Sequence, residues 1–302
     1  MVDLTTKIAS LTLKNPTILA SGLMDEDAGS MKRIINCGAG AVVTKSIGVK
    51  AREGYANPTI VELECGILNA MGLPNPGIDE FGEEIKKLKS LNAPIIGSIF
   101  GSNSKEFVEL GKKMQNYGAN ALELNMSCPH AKGYGIEIGS DSNLVKEITA
   151  QIKASVDIPV FVKLSSNISN LVEIAKAAES GGADGIVAIN TIKAMKINLE
   201  LRAPVLSNKI GGYSGKAIKP IGVRCVYEIA ENVDIPIIGV GGITTGEDAI
   251  EYIMAGASAV QIGTGIYYRD VDVFKNICDE MQDWMKKHNV KKISEFIGAA
   301  HK

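Results

Sequence analysis

The chain has few of the residues that build disulfide frameworks or metal sites. Its 302 residues include five cysteines and three histidines, with no CxxC pair. An odd number of widely spaced cysteines argues against a disulfide scaffold, and against a zinc or iron–sulfur site formed by this chain alone. We therefore expect no protein-bound metal, and chemistry that is either metal-free or carried by an organic cofactor.

The chain also lacks an excess of charge and a long hydrophobic run. Its net charge is -2 at pH 7, with 45% hydrophobic and 22% charged residues. This balance excludes the basic footprint of nucleic-acid-binding proteins and the polybasic segments that bind anionic membranes. No apolar stretch reaches the roughly 20 residues that span a bilayer, and the first residues do not resemble a signal peptide. We expect a cytoplasmic protein with no nucleic-acid or membrane partner.

What the sequence does contain is a repeated strand pattern. Four short β-type runs follow a Gly-Ala pair, and four others begin with proline, in strict alternation. The Gly-Ala runs are 38–43, 118–122, 182–187 and 256–260, and the proline runs are 16–19, 94–97, 159–162 and 236–239. Each Gly-Ala pair follows a helical pattern, so its glycine suits the left-handed position that ends a helix. Proline is tolerated at the first residue of a strand.

Eight apolar runs separated by amphipathic segments predict an α/β fold, the (β/α)8 or TIM barrel. Helices are predicted at 105–117, 144–156, 171–180 and 247–255. An open doubly wound sheet is the rival fold, but the segment 21–24 is not the GxGxxG loop that such a sheet needs. Because no linker interrupts the pattern, we predict a single domain over residues 1–302. Its long loops follow strands 2, 4 and 6, at 45–78, 126–141 and 191–216.

Small and polar residues stand at the predicted C-terminal ends of the strands, where barrel enzymes place their active sites. They are Ser21, Gly22, Thr44, Lys45, Ser46, Ser98, Asn125, Lys163, Asn190, Thr191, Gly241, Gly242, Gly263 and Thr264. Taken singly, such residues commonly serve as turn, cap or surface residues. Their occurrence on eight different strands predicts one polar pocket in the barrel mouth.

Cys128 follows the fourth strand in the segment Asn125-Met126-Ser127-Cys128-Pro129. A free cysteine is more commonly an inert core residue than a reactive one. Its place in a strand-end loop beside Asn and Ser makes Cys128 the candidate reactive residue.

Glycine-rich loops end the last two strands, at 239–243 and 262–265. Barrels bind phosphate there, on exposed backbone N–H groups, and Thr245 is the predicted cap of the following helix. A phosphate at this place, with Lys45 and Lys163 facing the same mouth, indicates an anionic cofactor. FMN fits, because a lysine beside its ring would stabilise the reduced anion. Pyridoxal phosphate fits as well, with one lysine as a Schiff base.

Through nearly its whole length the chain resembles the class 1 dihydroorotate dehydrogenases, FMN barrel enzymes of pyrimidine biosynthesis. The motifs that carry the resemblance are Thr44-Lys45-Ser46, Asn69-Ala70-Met71-Gly72-Leu73-Pro74-Asn75, Asn125-Met126-Ser127-Cys128-Pro129, Lys163, Asn190-Thr191, Gly211-Gly212-Tyr213-Ser214-Gly215, Gly241-Gly242 and Gly263-Thr264. The second and third motifs are the most specific. The resemblance implies FMN-dependent oxidation of dihydroorotate to orotate in the de novo synthesis of UMP.

The resemblance also implies a role for individual residues. It makes Cys128 the catalytic base that removes the C5 proton of dihydroorotate while the C6 hydride passes to FMN. The implied dihydroorotate contacts are Lys45, Asn69, Ala70, Met71, Gly72, Leu73, Asn125, Asn190 and Thr191. The implied FMN contacts are Ser21, Lys45, Ser46, Asn125, Lys163, Ile189, Gly215, Gly241, Gly242, Gly263 and Thr264.

Two positions depart from the family pattern. His130 follows Cys-Pro where the family commonly has Asn, and Ser98 stands where the NAD-linked type often has Asn. The loop 128–135 is more similar to the NAD-linked class 1B catalytic subunit than to the fumarate-linked type. This implies a homodimeric core that recruits a second subunit with FAD and an iron–sulfur cluster, because the chain has no NAD fingerprint or cysteine cluster of its own.

Two alternatives stay open beside this interpretation. The dihydropyrimidine dehydrogenases have a flavin barrel with a similar cysteine loop, although they carry additional iron–sulfur domains. A non-catalytic barrel that binds a phosphorylated ligand would also have glycine-rich strand ends. The sequence leaves the electron acceptor, the oligomeric state and the rate open.

Overall fold

A closed ring of parallel strands organises the fold. The computed structural model describes residues 2–127 and 136–302. The strands it describes are β1 (Thr6–Ile8), β2 (Leu11–Leu13), β3 (Thr17–Leu19), β4 (Ala41–Val43), β5 (Ile60–Leu63), β6 (Gly66–Asn69), β7 (Ile95–Ile99), β8 (Ala121–Asn125), β9 (Val160–Leu164), β10 (Gly185–Ala188), β11 (Ile192–Ala194), β12 (Ile197–Asn198), β13 (Ala203–Pro204), β14 (Gly211–Ser214), β15 (Ile237–Val240) and β16 (Ala257–Ile262). The helices are α1 (Ala28–Asn36), α2 (Ile78–Leu88), α3 (Ser104–Tyr117), α4 (Ile136–Gly139), α5 (Ser142–Lys153), α6 (Leu171–Ser180), α7 (Lys219–Ala230), α8 (Gly246–Met254), α9 (Gly265–Arg269) and α10 (Val273–Lys287), with short 3-10 turns at Lys216–Ile218, Ile293–Glu295 and Ala299–His301.

Within these ranges, eight strands close the barrel in the order β3, β4, β7, β8, β9, β10, β15 and β16, and β16 pairs with β3. The predicted (β/α)8 fold is therefore confirmed, and each predicted run overlaps one barrel strand. The predicted helices correspond to α3, α5, α6 and α8. The second begins two residues earlier than predicted, because the Asp141 side chain caps α5 by accepting from the N–H groups of Asn143 and Leu144. It ends at Lys153, three residues before the predicted end at residue 156. Among the described helices, none is long and apolar enough to cross a bilayer.

The glycine of each Gly-Ala pair has the positive φ that the sequence predicts. The φ values at Gly38, Gly118, Gly182 and Gly256 are +108°, +112°, +88° and +116°. At Gly118, which ends α3, this backbone allows the N–H group to reach the carbonyls of Met114 and Gln115. A side chain would raise the energy of a left-handed residue by roughly 1–2 kcal/mol, so glycine is favoured here.

The interior of the barrel has an apolar layer and a polar layer. Residues two apart on a strand face the same side. The apolar layer, closed at the N-terminal end by the β1–β2 hairpin, consists of Ile8, Leu11, Leu13, Ile18, Ala41, Val43, Ile96, Ala121, Phe161, Val187, Ile238 and Ala259. Two residues farther along four of these strands stand the buried polar side chains Ser98, Glu123, Lys163 and Gln261. The interior is therefore apolar at its N-terminal end and polar towards the mouth.

The long loops after barrel strands 2 and 6 meet in a four-stranded antiparallel sheet of β5, β6, β14 and β11, which we call the cap sheet. Asn69 on β6 pairs with Gly212 on β14. Leu68, Ala70 and Leu206 form a small core beneath these strands. Both loops leave C-terminal ends of barrel strands, so the cap sheet lies on the same side of the barrel as the predicted pocket.

Candidate active site

A row of hydrogen-bonded side chains crosses the mouth of the barrel. Ser46 Oγ, just after β4, lies 2.8 Å from Ser98 Oγ on β7 and accepts from Asn125 Nδ2 on β8 at 3.0 Å. All three residues are buried. The structure therefore brings together two of the predicted FMN contacts, Ser46 and Asn125. Ser98, which departs from the family pattern, belongs to the same row.

The row continues to barrel strand 6 through Ser127. Ser127 Oγ donates to Asn125 Oδ1 at 3.2 Å and accepts from Asn190 Nδ2 at 2.9 Å. Asn190 Oδ1 accepts in turn from the backbone N–H of Thr191 at 2.7 Å. These bonds link three predicted dihydroorotate contacts. No role was predicted for Ser127 from the sequence, although its hydroxyl stands two residues after a motif asparagine.

Cys128 and His130 lie outside the described residues. The role of Cys128 as the base therefore stays a prediction. The residue before it, Ser127, is fully buried and held by the bonds to Asn125 and Asn190.

The end of barrel strand 1 joins the row through Ser21 and a buried carboxyl. Ser21 Oγ lies 3.3 Å from Ser46 Oγ and donates to Asp25 Oδ2 at 3.3 Å, and the Gly22 N–H donates to the same oxygen at 2.6 Å. Burial raises the pKa of Asp25, while the charge of Lys45 and the Gly22 N–H oppose the rise. Asp25 fixes the loop that carries the predicted FMN contact Ser21. Asp25 was not predicted from the sequence, since only its spacing from Ser21 gave a signal.

Lys45 is a buried cation at the edge of the mouth. Its side chain is largely buried, and Nζ donates to Glu26 Oε1 at 2.9 Å. The Glu26 side chain is 70% exposed, so this ion pair lies partly in water. Such a pair contributes little to stability. Lys45 can therefore exchange Glu26 for the carboxylate of a ligand at small cost.

Lys163 lies inside the barrel rather than in solvent. Its Nζ donates to Glu123 Oε1 on β8 and to Gln261 Oε1 on β16, both at 3.2 Å. Gln261 Nε2 donates to the second Glu123 oxygen at 2.6 Å. No role was predicted from the sequence for either Glu123 or Gln261. Neither position carries a local signal, because the partners are far apart in the chain.

Glycine loops come together after β14, β15 and β16. Gly215, Gly241 and Gly242 have φ of +105°, +131° and +70°. A Cβ at Gly242 would lie 2.7 Å from the carbonyl oxygen of Gly215, whereas one at Gly263 would meet no atom closer than the Ala20 Cβ at 3.6 Å. Thr264 Oγ1 donates to Ser214 Oγ at 2.9 Å beside them. Glycine backbone and hydroxyl groups in this arrangement suit a phosphate.

Side chains of the protein already occupy most backbone N–H groups at the N-terminus of α8. Thr245 caps the helix as predicted, and its Oγ1 accepts from the Asp248 N–H at 3.2 Å. Asp248 Oδ2 accepts from the N–H groups of Thr244 and Thr245, each at 2.9 Å. The phosphate prediction therefore rests on the glycine loops and Thr264 rather than on this helix.

The remaining predicted residues have structural contacts of their own. Asn69 lies in the cap sheet, where its Nδ2 donates to the Gly212 carbonyl at 3.3 Å. The segment after it is held by Arg52 Nε, which donates to the Gly72 carbonyl at 2.8 Å. Ile189 is buried, and its N–H donates to the Val240 carbonyl at 3.0 Å. Asn69 thus belongs to the cap sheet, and residues 70–73 belong to the segment that follows it rather than to the hydrogen-bonded row.

A comparison with solved structures finds the same fold. A structure described as dihydroorotate dehydrogenase in complex with ferulenol, from Eimeria tenella, matches with a TM-score of 0.86. The match covers 99% of this chain and 89% of the other at 24% sequence identity. At this identity the likeness shows the fold alone.

Sequence comparisons identify the family. Residues 3–285 match the family profile described as dihydroorotate dehydrogenase. Relatives named dihydroorotate dehydrogenase B (NAD(+)), catalytic subunit, are 53% identical in Methanocaldococcus jannaschii, 54% in Thermoplasma acidophilum and 49% in Pyrococcus furiosus. These matches cover 98% to 99% of this chain and of each relative. With its barrel fold and the polar row at the strand ends, the chain belongs to the dihydroorotate dehydrogenase family.

Proposed function

We propose that this chain oxidises dihydroorotate to orotate with FMN, as a step of pyrimidine biosynthesis. The observation that carries the proposal is the hydrogen-bonded row of Ser46, Asn125, Ser127 and Asn190, in which Ser127 directly precedes Cys128 in the chain. The matches over nearly the whole chain are to dihydroorotate dehydrogenases. They favour neither alternative from the sequence, a dihydropyrimidine dehydrogenase or a non-catalytic barrel.

The described residues fit FMN, and the family is flavin-dependent. Gly215, Gly242 and Thr264 would hold the phosphate through backbone N–H and hydroxyl groups. Lys163 would lie beside the ring, where a positive charge stabilises the reduced form. When bound, FMN supplies the acceptor for the hydride that leaves the substrate. The sequence predicts FMN itself, and the glycine loops support it over a flavin without a phosphate.

The pocket offers groups that match a small cyclic substrate with a carboxylate and ring amides. Lys45 would bind the carboxylate, and the amides of Asn125 and Asn190 can each donate and accept. Asn69 and Thr191 would complete these contacts from the cap sheet and from strand 6. Cys128 would take the C5 proton, for which the thiolate is the competent form.

We also propose that the whole chain, residues 1–302, acts as one FMN-binding catalytic domain in the cytoplasm, within a larger assembly. Its relatives are named catalytic subunits of an NAD(+)-linked enzyme. This supports a homodimeric core that passes electrons to a partner subunit with FAD and an iron–sulfur cluster.

The purified protein tests the proposed function directly. We expect a yellow preparation that releases FMN on denaturation, and whose visible flavin absorbance is lost when dihydroorotate is added without oxygen. Dihydrouracil is the control, because it lacks the carboxylate that Lys45 would bind. A colourless preparation that does not take up FMN would indicate a non-catalytic barrel. Faster bleaching by dihydrouracil would indicate the dihydropyrimidine dehydrogenase type.

Replacing Lys45 by methionine should weaken the reaction of the FMN-loaded protein with dihydroorotate. A hydrogen bond to a charged group contributes about 1.5–3 kcal/mol, so we expect kcat/KM to fall roughly 10- to 150-fold. Steady-state kinetics of FMN-loaded protein measure the change. The matched control is Glu26→Gln, which removes the exposed partner of Lys45 and should leave kcat/KM almost unchanged. Equal losses in the two variants would contradict the role of Lys45.

A further inference from the structure

The floor of the candidate pocket is a buried charged cluster of Glu123, Lys163 and Gln261. Glu123 and Gln261 are each 1% exposed and Lys163 is 5% exposed. They lie on β8, β9 and β16, and their side chains meet in the interior of the barrel. Each stands two residues beyond a member of the apolar layer, namely Ala121, Phe161 and Ala259. The cluster therefore separates the apolar interior from the mouth.

The hydrogen bonds of the cluster form a closed triangle. Lys163 donates to one oxygen of Glu123 and to the carbonyl oxygen of Gln261, both at 3.2 Å. The amide nitrogen of Gln261 donates to the other Glu123 oxygen at 2.6 Å. Both carboxylate oxygens and both ends of the amide are therefore used. This arrangement fixes the position of the ammonium group in the barrel.

Stability alone does not account for this cluster. Burying an ion pair has a desolvation cost that often equals the attraction between the charges, and apolar residues of similar size are commonly as stable. The three side chains instead continue the candidate active site. Lys163 is the register partner of Asn125, which belongs to the polar row.

Glu123 is the charged group that faces Lys163 from the described elements around it. The register neighbours of Lys163, Asn125 on β8 and Val187 on β10, are uncharged. Gln261 on β16 is neutral as well. Without the carboxylate, burial would favour the neutral amine of Lys163, because desolvation penalises the charged form.

We propose that Glu123 is a positioning residue that keeps Lys163 an ammonium ion in both redox states of the flavin. Gln261 supports it by fixing the carboxylate and the ammonium group relative to each other. The inference rests on the proposed function, in which FMN lies beside Lys163. If Lys163 is an ammonium ion in both states, it takes up no proton when the flavin is reduced. The charge of the Glu123, Lys163 and Gln261 cluster is then the same in both redox states.

The isosteric variant Glu123→Gln tests this role through the pH dependence of the flavin midpoint potential. The proposal predicts that in the variant the lysine is neutral beside oxidised FMN and takes up one proton when the reduced, anionic ring forms. Uptake of one more proton for two electrons makes the midpoint potential fall more steeply with pH. The slope of the variant should exceed that of the wild type by about 30 mV per pH unit. Redox titration with reference dyes between about pH 6 and 7.5, below the ordinary thiol pKa near 8.5, avoids titration of Cys128.

The double variant Glu123→Gln with Gln261→Glu is the matched control. It moves the carboxylate from β8 to β16, where residue 261 contacts Lys163 at the same distance of 3.2 Å. We expect the wild-type slope to return. A merely structural role of Glu123 would not produce a steeper slope that a relocated charge reverses.

The outcomes distinguish this inference from the proposed function. A wild-type protein that retains no FMN overturns the proposed function and this inference with it. Normal FMN retention with equal slopes in wild type and Glu123→Gln overturns only the role of Glu123. If Glu123→Gln itself loses FMN, the double variant decides: FMN retention with the wild-type slope supports the inference, and any other result overturns it.

Discussion

Replacing Cys128 by alanine is expected to leave FMN bound but to slow flavin reduction by dihydroorotate about 10²–10⁴-fold, the usual contribution of a general base. The polar row does not depend on the thiol, since its bonds run from Ser46 through Asn125 and Ser127 to Asn190. Stopped-flow mixing of FMN-loaded protein with dihydroorotate, without oxygen, measures the reduction rate. FMN content after gel filtration checks that the cofactor site is intact.

The pH dependence gives this prediction a second measurement. A thiol has an ordinary pKa of about 8.5 and acts as a base only when deprotonated, so the wild-type rate should rise with pH. The rise should be absent in Cys128→Ala, and Cys128→Ser should keep a little activity at high pH. Cys37→Ala, at the end of α1, is the control and should behave as wild type. Reduction of Cys128→Ala within about tenfold of the wild-type rate would remove Cys128 from the role of base.

The fold could be predicted from the sequence because its signals are local. Each barrel strand is indicated by a short run of β-forming residues. The left-handed residue that ends the preceding helix favours glycine, as at Gly118. The boundaries of α5 were less accurate, because its N-terminus depends on one side chain, that of Asp141. Side-chain caps of this kind compete with the hydrophobic pattern, which alone placed the helix two residues late.

The candidate site was predictable where a family motif marks it and not where distant residues meet. Asn125 and Asn190 were predicted and lie in one row, but their link, Ser127, was not. Glu123 and Gln261 are 138 positions apart, and only closure of the barrel brings them into contact. On its own strand Glu123 looks like an interruption of an apolar run. Its role depends on the ion pair with Lys163, which no local sequence pattern indicates.

The glycine loops provide the other large expected effect. Gly242 has φ of +70°, and a Cβ there would lie 2.7 Å from the Gly215 carbonyl oxygen and 2.9 Å from the Lys219 backbone nitrogen. Both contacts are with backbone atoms, which cannot rotate away as a side chain can. The collision can be relieved only by moving the segment at Gly215 or the loop at Gly242. Either movement separates the backbone groups that would hold the FMN phosphate.

Gly242→Ala should therefore bind FMN more weakly while the barrel remains folded. Left-handed strain of roughly 1–2 kcal/mol lowers the stability of the fold, and overpacking of about 1–3 kcal/mol at the phosphate groups predicts an affinity roughly 5- to 150-fold weaker. Fluorescence titration of FMN-free protein measures it. Gly182→Ala is the matched control: φ is +88°, but its Cβ would lie 3.7 Å from the nearest atom, Lys153 Cγ, at the N-terminal side of β10. It should lower the melting temperature through the same backbone strain and bind FMN normally. If Gly242→Ala bound FMN within about threefold of wild type, the phosphate would have to lie elsewhere in the barrel mouth.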